Sequence, residues 1–492
     1  MKYLLKILIV FYGFLLLQGC NDLLENTEPS TSVSQELALN NPDAIRGLRA
    51  RMYARFQAAP EMNTTWLLGP SALADNTDIG SGTRFESLNN NEFESGVGTA
   101  AWSDLYDMIN DANILLKGVP EGVVTDENLT KYHGEAYFMR ALALHHLVRI
   151  FGYEPGMAPS SGKAAGFDLG VIIRTEPTLD VSDADFKERK TVSEVYQQIE
   201  SDLNDALTKL KQHSSDGPFY VTPAAAQALL ARVHLYQKNY EEANTAASEA
   251  ISSSGARLAT ASEVSSMFDE TVNNPEAIFT VDVDPATESG GTNDALAAYT
   301  SMQWFGQIPT QDLIDSYDSN DARLDAWYTL CFNDVTEEAT NDCAGVNAGN
   351  LELHKYAAEQ GQFADDYVHF RVGEMVLIQA EALLDTDGPS AAIAKLDELR
   401  SHRGLGAYSG PTTEQAVLDE ILAERRRELV AEGHRFFDLK RLGRDLRKVK
   451  FDPDNGTTTV SYLRYDSYVY LDDLPDGEVE LNPKLVENPF FD

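Results

Sequence analysis

Two stretches of this chain repeat one pattern of small residues within amphipathic helical segments, and this pattern is the strongest constraint on the fold. In the first stretch, Ala231 and Ala243 stand twelve positions apart, one in each of two consecutive segments of helical periodicity. In the second stretch, Ala380 and Ala392 have the same spacing. Small side chains at such positions allow two antiparallel helices to approach closely. The pattern therefore predicts a mostly α-helical protein that is built from helix pairs.

The spacing resembles that of tetratricopeptide-like helix pairs, and residues 102–151 contain two more segments with apolar residues at three- and four-residue steps. Three long insertions, at about residues 57–98, 152–190 and 255–368, are rich in Gly, Pro, Asn and Asp. Loops of this length are usually functional or disordered. Their aromatic residues argue against plain disorder, so we expect a helical scaffold whose long loops form a binding platform.

The chain begins with a segment that is typical of a bacterial lipoprotein precursor. Two lysines precede an apolar run over residues 7–17, which has the length of a signal-peptide core and is too short to span a bilayer. The run leads into LQGC, which resembles a lipobox, a motif that is cleaved before its cysteine. We therefore predict a signal peptide at residues 1–19, a lipidated Cys20 and a polar tether at residues 20–34. The alternative is an ordinary signal peptide with an incidental cysteine.

Charge and cysteine content narrow the possible partners. The formal net charge of −39 argues against binding to nucleic acid or to anionic lipid, because both require a basic surface. Apart from Cys20, the chain contains only Cys331 and Cys343, which flank a short polar segment. Outside the cytoplasm we expect these two cysteines to form a disulfide. The alternative is a pair of free thiols.

An arginine-rich segment, ILAERRRELVAEGHRFFDLKRL at residues 421–442, stands out in so acidic a chain. Opposite charges three positions apart are neighbours on a helix surface. Three such pairs occur here: Glu424–Arg427, Arg425–Glu428 and Glu432–Arg435. We expect Gly433 to end the helix and the two phenylalanines after it to pack against the fold. Because paired charges leave little for a ligand, we predict that the segment is structural; the alternative is a cationic ligand site.

Sequence motifs of catalysis and metal binding do not occur in the chain. There is no H-E-x-x-H pattern, pair of C-x-x-C knuckles, G-x-S-x-G elbow, P-loop or dinucleotide-binding fingerprint. Glycoside hydrolysis needs two suitably spaced carboxyl groups, but nothing singles out one pair among 78 acidic residues. DPDNGT, at residues 452–457, has its glycine one position too early for a calcium loop, so we expect a turn. We predict no enzymatic activity, no cofactor and no metal site.

A saccharide-binding surface needs flat aromatic faces beside amide, carboxylate or guanidinium groups that hydrogen-bond to hydroxyls. Two loops offer this mixture. The candidate ligand-binding residues of the first loop are Trp66, Asp75, Asn76, Asp78, Arg84 and Phe85. Those of the second loop are Tyr299, Gln303 and Trp304. The alternatives are a buried anchor for either tryptophan and local turn capping for Asp75 and Asn76. We expect Trp102 and Trp327, which lie in or beside helical segments, to be core or helix-packing residues.

Several longer motifs occur in order along the chain: AWSDLYDMINDAN (101–113), GEAYFMRALALHHLVRIFG (134–152), TPAAAQALLARVHLY (222–236), ERRRELVAEGHRFFDLKRLG (424–443) and ELNPKLVENPFF (480–491). Together, behind a lipobox, they resemble the SusD/RagB family of surface lipoproteins, with which Bacteroidota capture nutrients. The resemblance extends from Cys20 to Asp492. It implies an α-helical fold of tetratricopeptide-like pairs that covers a TonB-dependent outer-membrane transporter and delivers glycans, or sometimes peptides, to it. Family members are binders and not enzymes.

The resulting expectation is a single, mostly α SusD-like domain over residues 35–492, with tetratricopeptide-like helix pairs and long irregular loop insertions. Residues 35–255 would hold the first helices, and residues 256–492 the binding loops and the last pairs. We predict that the protein is anchored in the outer membrane at the cell surface, binds an oligo- or polysaccharide and delivers it to a TonB-dependent, SusC-like transporter. The alternatives are a peptide-binding family member and a tetratricopeptide-type scaffold for protein partners.

Overall fold

The computed structural model shows a mostly helical protein, which confirms the predicted fold class. It describes residues 38–58, 60–79, 85–91, 97–213, 217–269, 274–283, 296, 300, 307–330, 332–333, 338–339, 351–356, 366–452 and 457–491. The predicted signal peptide and tether, Cys20, Cys331 and Cys343 lie outside the described residues, so lipidation and disulfide formation stay predictions. Within the described part, no helix is both long enough and apolar enough to cross a bilayer.

Eight helices are described in the N-terminal part. Their bounds are α1 Pro42–Ala58, α2 Pro60–Leu73, α3 Glu86–Asn90, α4 Val97–Lys117, α5 Asp126–Phe151, α6 Val192–Leu210, α7 Pro223–Gln237 and α8 Tyr240–Ser254. Helix α7 begins where Thr222 Oγ1 accepts a hydrogen bond from the Ala225 backbone N–H at 3.2 Å. Helix α6 begins with a capping box of the sequence pattern T-x-x-E. Thr191 Oγ1 accepts a hydrogen bond from the Glu194 backbone N–H at 3.2 Å, and the Thr191 backbone N–H donates to Glu194 Oε2 at 2.9 Å.

Seven further helices are described in the C-terminal part: α9 Gln311–Ile314, α10 Ala322–Trp327, α11 Val372–Thr386, α12 Pro389–His402, α13 Glu414–Glu428, α14 Arg435–Arg441 and α15 Asp476–Leu481. The two predicted helix pairs are α7–α8 and α11–α12. Ala231, Ala243, Ala380 and Ala392 are all fully buried. Helix α8 also packs against α11, so the two pairs form one continuous helical layer. The pairing that the small residues predict is confirmed.

Short strands form five two-stranded antiparallel sheets among the described residues. Their pairs are β1 Thr77–Ile79 with β3 Gln307–Pro309, β2 Ala277–Val281 with β8 Tyr367–Arg371, β4 Tyr328–Leu330 with β7 Leu351–Leu353, β5 Phe332–Asn333 with β6 Glu338–Ala339, and β9 Leu446–Asp452 with β10 Thr457–Leu463. All but the last sheet lie within or border the predicted insertions. Parts of these insertions are therefore ordered by strand pairing, and the insertion at residues 57–98, predicted to be irregular, also contains helices α2 and α3. Their Gly- and Asp-rich composition did not indicate this order.

The arginine-rich segment is structural, as predicted, but its helix is shorter than expected. Helix α13 ends at Glu428, before the expected stop at Gly433. Ala431 and Gly433 both have left-handed backbone conformations, with φ of 58° and 78°. A Cβ atom on Gly433 would clash with the carbonyl oxygen of Trp66, so the close approach of these two chain segments requires glycine.

Of the three charge pairs predicted in this segment, Glu424–Arg427 forms, at 2.7 Å. The other two predictions are wrong. Arg425 donates to Asp438 at 2.9 Å instead, and Arg435 pairs with a carboxylate of the N-terminal part. These groups lie in or at the edge of the interior, so their partners depend on which chain segments meet there and not on spacing along one helix.

Glu428 is the centre of a buried ion-pair network. Its carboxylate accepts hydrogen bonds from Arg323 at 2.7 Å, from Arg371 at 2.6 Å and from Arg403 at 2.6 Å. Glu276 shares two of these donors, since it accepts from Arg403 at 2.6 Å and from Arg371 at 2.9 Å. Burial alone would raise the pKa of Glu428, but the neighbouring guanidinium groups outweigh burial and hold that pKa well below its usual value.

Gly373, near the start of α11, attaches a scaffold helix to this network. Its backbone N–H donates to Glu276 Oε2 at 2.9 Å. A Cβ atom at this position would overlap the guanidinium group of Arg371 and crowd both Glu276 and Glu428. A larger residue would therefore displace the ion pairs, which explains a glycine inside a helix.

Three histidines of the helical core, His145, His146 and His434, are buried. Burial first, and then the nearby guanidinium groups of Arg149 and Arg232, lower the pKa of each histidine well below 6.5. Both ring nitrogens of His145 lack a hydrogen-bond partner among the described residues. The folded protein therefore holds these histidines in the neutral form.

We predict that the free energy of unfolding falls as the pH is lowered below 6.5. The unfolded chain binds protons on these histidines and the folded chain does not, so each contributes up to about 1.4 kcal/mol per pH unit. Guanidinium titrations at pH 7.5, 6.5 and 5.5 measure this slope. His145→Phe removes one titrating group without removing a hydrogen bond. It should reduce the slope of the free energy of unfolding against pH by the contribution of one proton, up to about 1.4 kcal/mol per pH unit. Stability that stays constant over this pH range would contradict the prediction.

A second prediction concerns the helix pairs. Ala243→Leu should destabilise the protein by about 1–3 kcal/mol, because the larger side chain must force α7 and α8 apart. Thr245→Leu, at an exposed position of the same helix, should leave the free energy of unfolding nearly unchanged. Guanidinium denaturation followed by circular dichroism compares the two variants, and equal stabilities would show that the helices are not closely packed at Ala243.

Candidate functional site

The structure brings the two predicted binding loops together at one small sheet. Strands β1 and β3 are antiparallel, and Ile79 pairs with Gln307. The last residue of β1 and the first residue of β3 therefore lie at the same end of this sheet. In the sequence Arg84 follows β1 and Trp304 precedes β3, and both lie outside the described residues.

Asp75, a candidate ligand-binding residue, is held by two arginines of the arginine-rich segment. Arg435 donates to its carboxylate through Nε at 2.7 Å and Nη2 at 2.9 Å, the two-point geometry of a strong ion pair. Arg426 lies 3.6 Å from the same carboxylate and donates to Asn76 Oδ1 at 2.9 Å. Burial alone would raise the pKa of Asp75, but the two arginines outweigh burial and lower it below its usual range. Asp75 and Asn76 thus hold the N-terminal end of β1 in place.

Three other candidates of the first loop are also interior residues. Trp66 lies in helix α2 and not in the predicted loop; it is 6% exposed, and its ring stacks on His146 with the ring centroids 3.9 Å apart. Asp78 and Phe85 are buried, and Asp78 Oδ1 accepts a hydrogen bond from Asn89 Nδ2 at 3.1 Å. Burial favours anchoring and bracing roles for these residues, because a buried ring or carboxylate presents no open face to a sugar.

The remaining candidates lie outside the described residues: Arg84, Tyr299, Gln303 and Trp304. Their contact with a ligand stays a prediction. Trp102 and Trp327 are buried, which confirms their predicted place in the core. In the part of the chain that the structure describes, no group of three or more His, Cys, Asp or Glu side chains is placed to hold a metal ion.

A partly exposed strip that the sequence analysis did not single out borders the other end of the β1–β3 sheet. Asp312, just after β3, accepts a hydrogen bond from Arg426 at 2.8 Å and pairs with Arg447 of β9 at 2.9 Å. Tyr462 of β10 is paired directly with Arg447 and is 67% exposed. An exposed ring beside a guanidinium and a carboxylate is a mixture that suits sugar hydroxyls and ring faces. The segment TTTVSYL reads as a strand, but only the strand register places Tyr462 beside Arg447.

We predict that Asp75→Asn lowers the free energy of unfolding by about 3–5 kcal/mol, because it leaves the largely buried guanidinium group of Arg435 without its counter-charge. Asp43→Asn breaks an exposed ion pair with Arg46 and serves as the matched control, for which we expect little effect. Chemical denaturation compares the two variants. If Asp75→Asn kept full stability and lost ligand binding, Asp75 would be a ligand contact and not a brace.

Comparison with known proteins covers both parts of the chain. Residues 22–235 match a SusD-like family model described as "Starch-binding associating with outer membrane", and residues 275–491 match the model of the SusD family. SusD-like protein P38 of Formosa agariphila is 28% identical over 520 residues, with 96% of each chain covered. SusD-like protein P2 of the same organism is 28% identical over 528 residues, with 98% of this chain and 99% of the relative covered.

Solved structures share the fold. A Bacteroides vulgatus protein, described provisionally as sugar binding, has a TM-score of 0.76 at 25% identity, covering 92% of this chain and 98% of that chain. A SusD superfamily protein of Bacteroides thetaiotaomicron has a TM-score of 0.75 at 22% identity, covering 91% of this chain and 100% of that chain. Two family models, relatives of matching length and a shared fold lead to one conclusion: the chain belongs to the SusD/RagB family.

Proposed function

We propose that this protein is a lipid-anchored, glycan-binding protein of the outer membrane, which captures an oligo- or polysaccharide at the cell surface and passes it to a TonB-dependent transporter. Membership of the SusD/RagB family supports the proposal. So do the description of the matching family model, "Starch-binding associating with outer membrane", and that of the sugar-binding structural neighbour. The lipobox-like LQGC at Cys20 supports the lipid anchor.

The observation that supports the proposal is the β1–β3 sheet, in which one strand from each of the two predicted binding loops pairs with the other. Its base is held by the Asp75–Arg435 and Asn76–Arg426 contacts. A recognition surface built on a rigid sheet loses less conformational entropy on binding than one built on a flexible segment. The fixed β1–β3 sheet therefore suits this role. We assign the main saccharide contact to the segments that leave this end of the sheet, with Trp304 as the stacking ring.

Binding without bond cleavage fits the carboxylates near this sheet. Glycoside hydrolysis needs one carboxyl group that stays protonated long enough to act as an acid. Asp75 and Asp312 are instead paired with arginines, which outweigh burial and lower the pKa of both groups. We therefore expect the bound glycan to be released intact.

Trp304→Ala should abolish or strongly weaken binding of the glycan, because it removes the aromatic face on which a sugar ring stacks. Native affinity electrophoresis against fructans, β-glucans, α-glucans, xylans, mannans and pectins identifies the glycan, and calorimetry then measures the loss. Unchanged thermal unfolding would show that the variant is folded.

Tyr462→Ala is the matched comparison, since it removes an aromatic ring that is exposed at the other end of the sheet. Binding that survives Trp304→Ala and is lost in Tyr462→Ala would move the site to the β9–β10 hairpin. Failure to bind any glycan on the panel would contradict the proposed ligand class and favour peptides or a protein partner.

A further inference from the structure

Four exposed aliphatic side chains lie on two segments of the surface that are far apart in sequence. Leu179 and Val181 are 48% and 78% exposed, and Leu481 and Val486 are 68% and 56% exposed. The described residues include nine exposed large apolar side chains, so these two short segments carry almost half of them. Exposed apolar side chains that are scattered singly need no explanation, whereas a concentration of them indicates an interaction site.

Two hydrogen bonds join these segments into one surface. Asn482 Nδ2 donates to the Lys187 carbonyl at 2.8 Å, and Lys484 Nζ donates to the Phe186 carbonyl at 2.7 Å. The four aliphatic side chains therefore belong to neighbouring parts of the surface, although almost 300 positions separate them in sequence. We call the two segments, residues 179–188 and 480–487, the aliphatic surface.

Arg189, a buried residue at the end of the first segment, attaches the aliphatic surface to the helical core. Its Nη1 donates to the Val486 carbonyl at 2.8 Å and to Asn488 Oδ1 at 2.9 Å. Its Nη2 donates to the carbonyl of Phe151, the last residue of α5, at 2.8 Å. A surface that the core holds in this way loses little conformational entropy when it binds a partner.

The aliphatic surface is also acidic. Residues 179–188 contain four acids and one lysine, and residues 480–487 contain two acids and one lysine. Asp180 and Asp183 alternate with the exposed aliphatic residues and are themselves exposed. Such carboxylates repel an anionic lipid surface, and they equally repel a second copy of this chain, which carries the same acids. The surface therefore fits a partner that presents apolar side chains among lysines or arginines.

We propose that the aliphatic surface is a protein-docking site whose partner surface is apolar and basic. The proposal rests on the proposed function, because we assign this contact to the TonB-dependent transporter named there. It adds the face of this chain that makes the contact and the chemistry of the face that it meets. Since these residues are separate from the β1–β3 sheet, docking leaves the proposed saccharide contact to other residues.

Binding of the full chain to the transporter with which it copurifies in detergent tests the proposal. The double variant Val181→Asp, Leu481→Asp should raise the Kd about tenfold or more, because it places charges inside an apolar contact. Val460→Asp, at an exposed apolar position of β10, is the matched control and should leave the Kd unchanged. All three positions are exposed, so thermal unfolding of the variants should match that of the parent.

A second pair of variants tests the charge of the partner. Asp180→Lys, Asp183→Lys should also raise the Kd about tenfold, and it should reduce the loss of affinity with added salt, because the partner surface is basic. Asp205→Lys, at an exposed position of α6, makes a similar change of charge elsewhere and should bind as the parent does.

The outcomes separate this proposal from the proposed function. Weaker binding in both double variants, with both controls unchanged, supports the docking site. A transporter complex that Val181→Asp, Leu481→Asp leaves unchanged overturns the docking site and keeps the function. A complex that only the lysine variants leave unchanged overturns the basic character of the partner. If no transporter copurifies with the parent, the transport role fails and the docking site fails with it.

A lipid partner is the remaining outcome to test. The Cys20→Ser chain, which lacks the predicted lipidation site, is mixed with vesicles of phosphatidylglycerol. We expect no binding, because the acidic surface repels the anionic headgroups. Vesicle binding that is lost when Val181→Asp, Leu481→Asp is added would assign the aliphatic surface to lipid and overturn the proposal.

Discussion

The fold of the C-terminal part depends on one buried carboxylate, that of Glu428, and on the arginines around it. Arg323, Arg371 and Arg403 come from three different elements, and each donates to this group. Charged groups that are buried this deeply stabilise the fold only when all their partners are present. Removing one partner leaves another buried charge uncompensated, which costs roughly 3–5 kcal/mol. We infer that the network specifies how these elements meet, in addition to any stability that it contributes.

The same helix connects this network to the proposed recognition surface. Consecutive residues of a helix point about 100° apart, so Arg425, Arg426 and Arg427 face three directions. Arg425 reaches Asp438 of α14, Arg426 reaches Asn76 at the base of β1, and Arg427 stays with its own helix and the carbonyl of residue 316. A cationic run in an acidic protein thus becomes an internal brace. The positive charges of this run are paired with groups inside the protein, so the surface remains acidic.

We propose that recognition takes place at the margin of this interior. The β1–β3 sheet is held by strand pairing and by the buried contact of Asp75 with Arg435, and the exposed ring of Tyr462 lies near one end of it. Such an arrangement limits the conformational entropy that is lost when a ligand binds. It also separates the residues that hold the frame, such as Asp75 and Trp66, from those that we expect to touch sugar.

The sequence by itself determined most local features of this protein: the longer amphipathic helices, the caps at Thr191 and Thr222, and the close helix pairs around small residues. These features depend on periodicity and on contacts within a few residues, which a sequence displays directly. Only the tertiary structure decided that β1 pairs with β3, that Arg435 reaches Asp75 across 360 positions, and that Trp66 is buried. The physical reason is that a buried charge or ring takes its partner from whichever segment the packed core brings beside it.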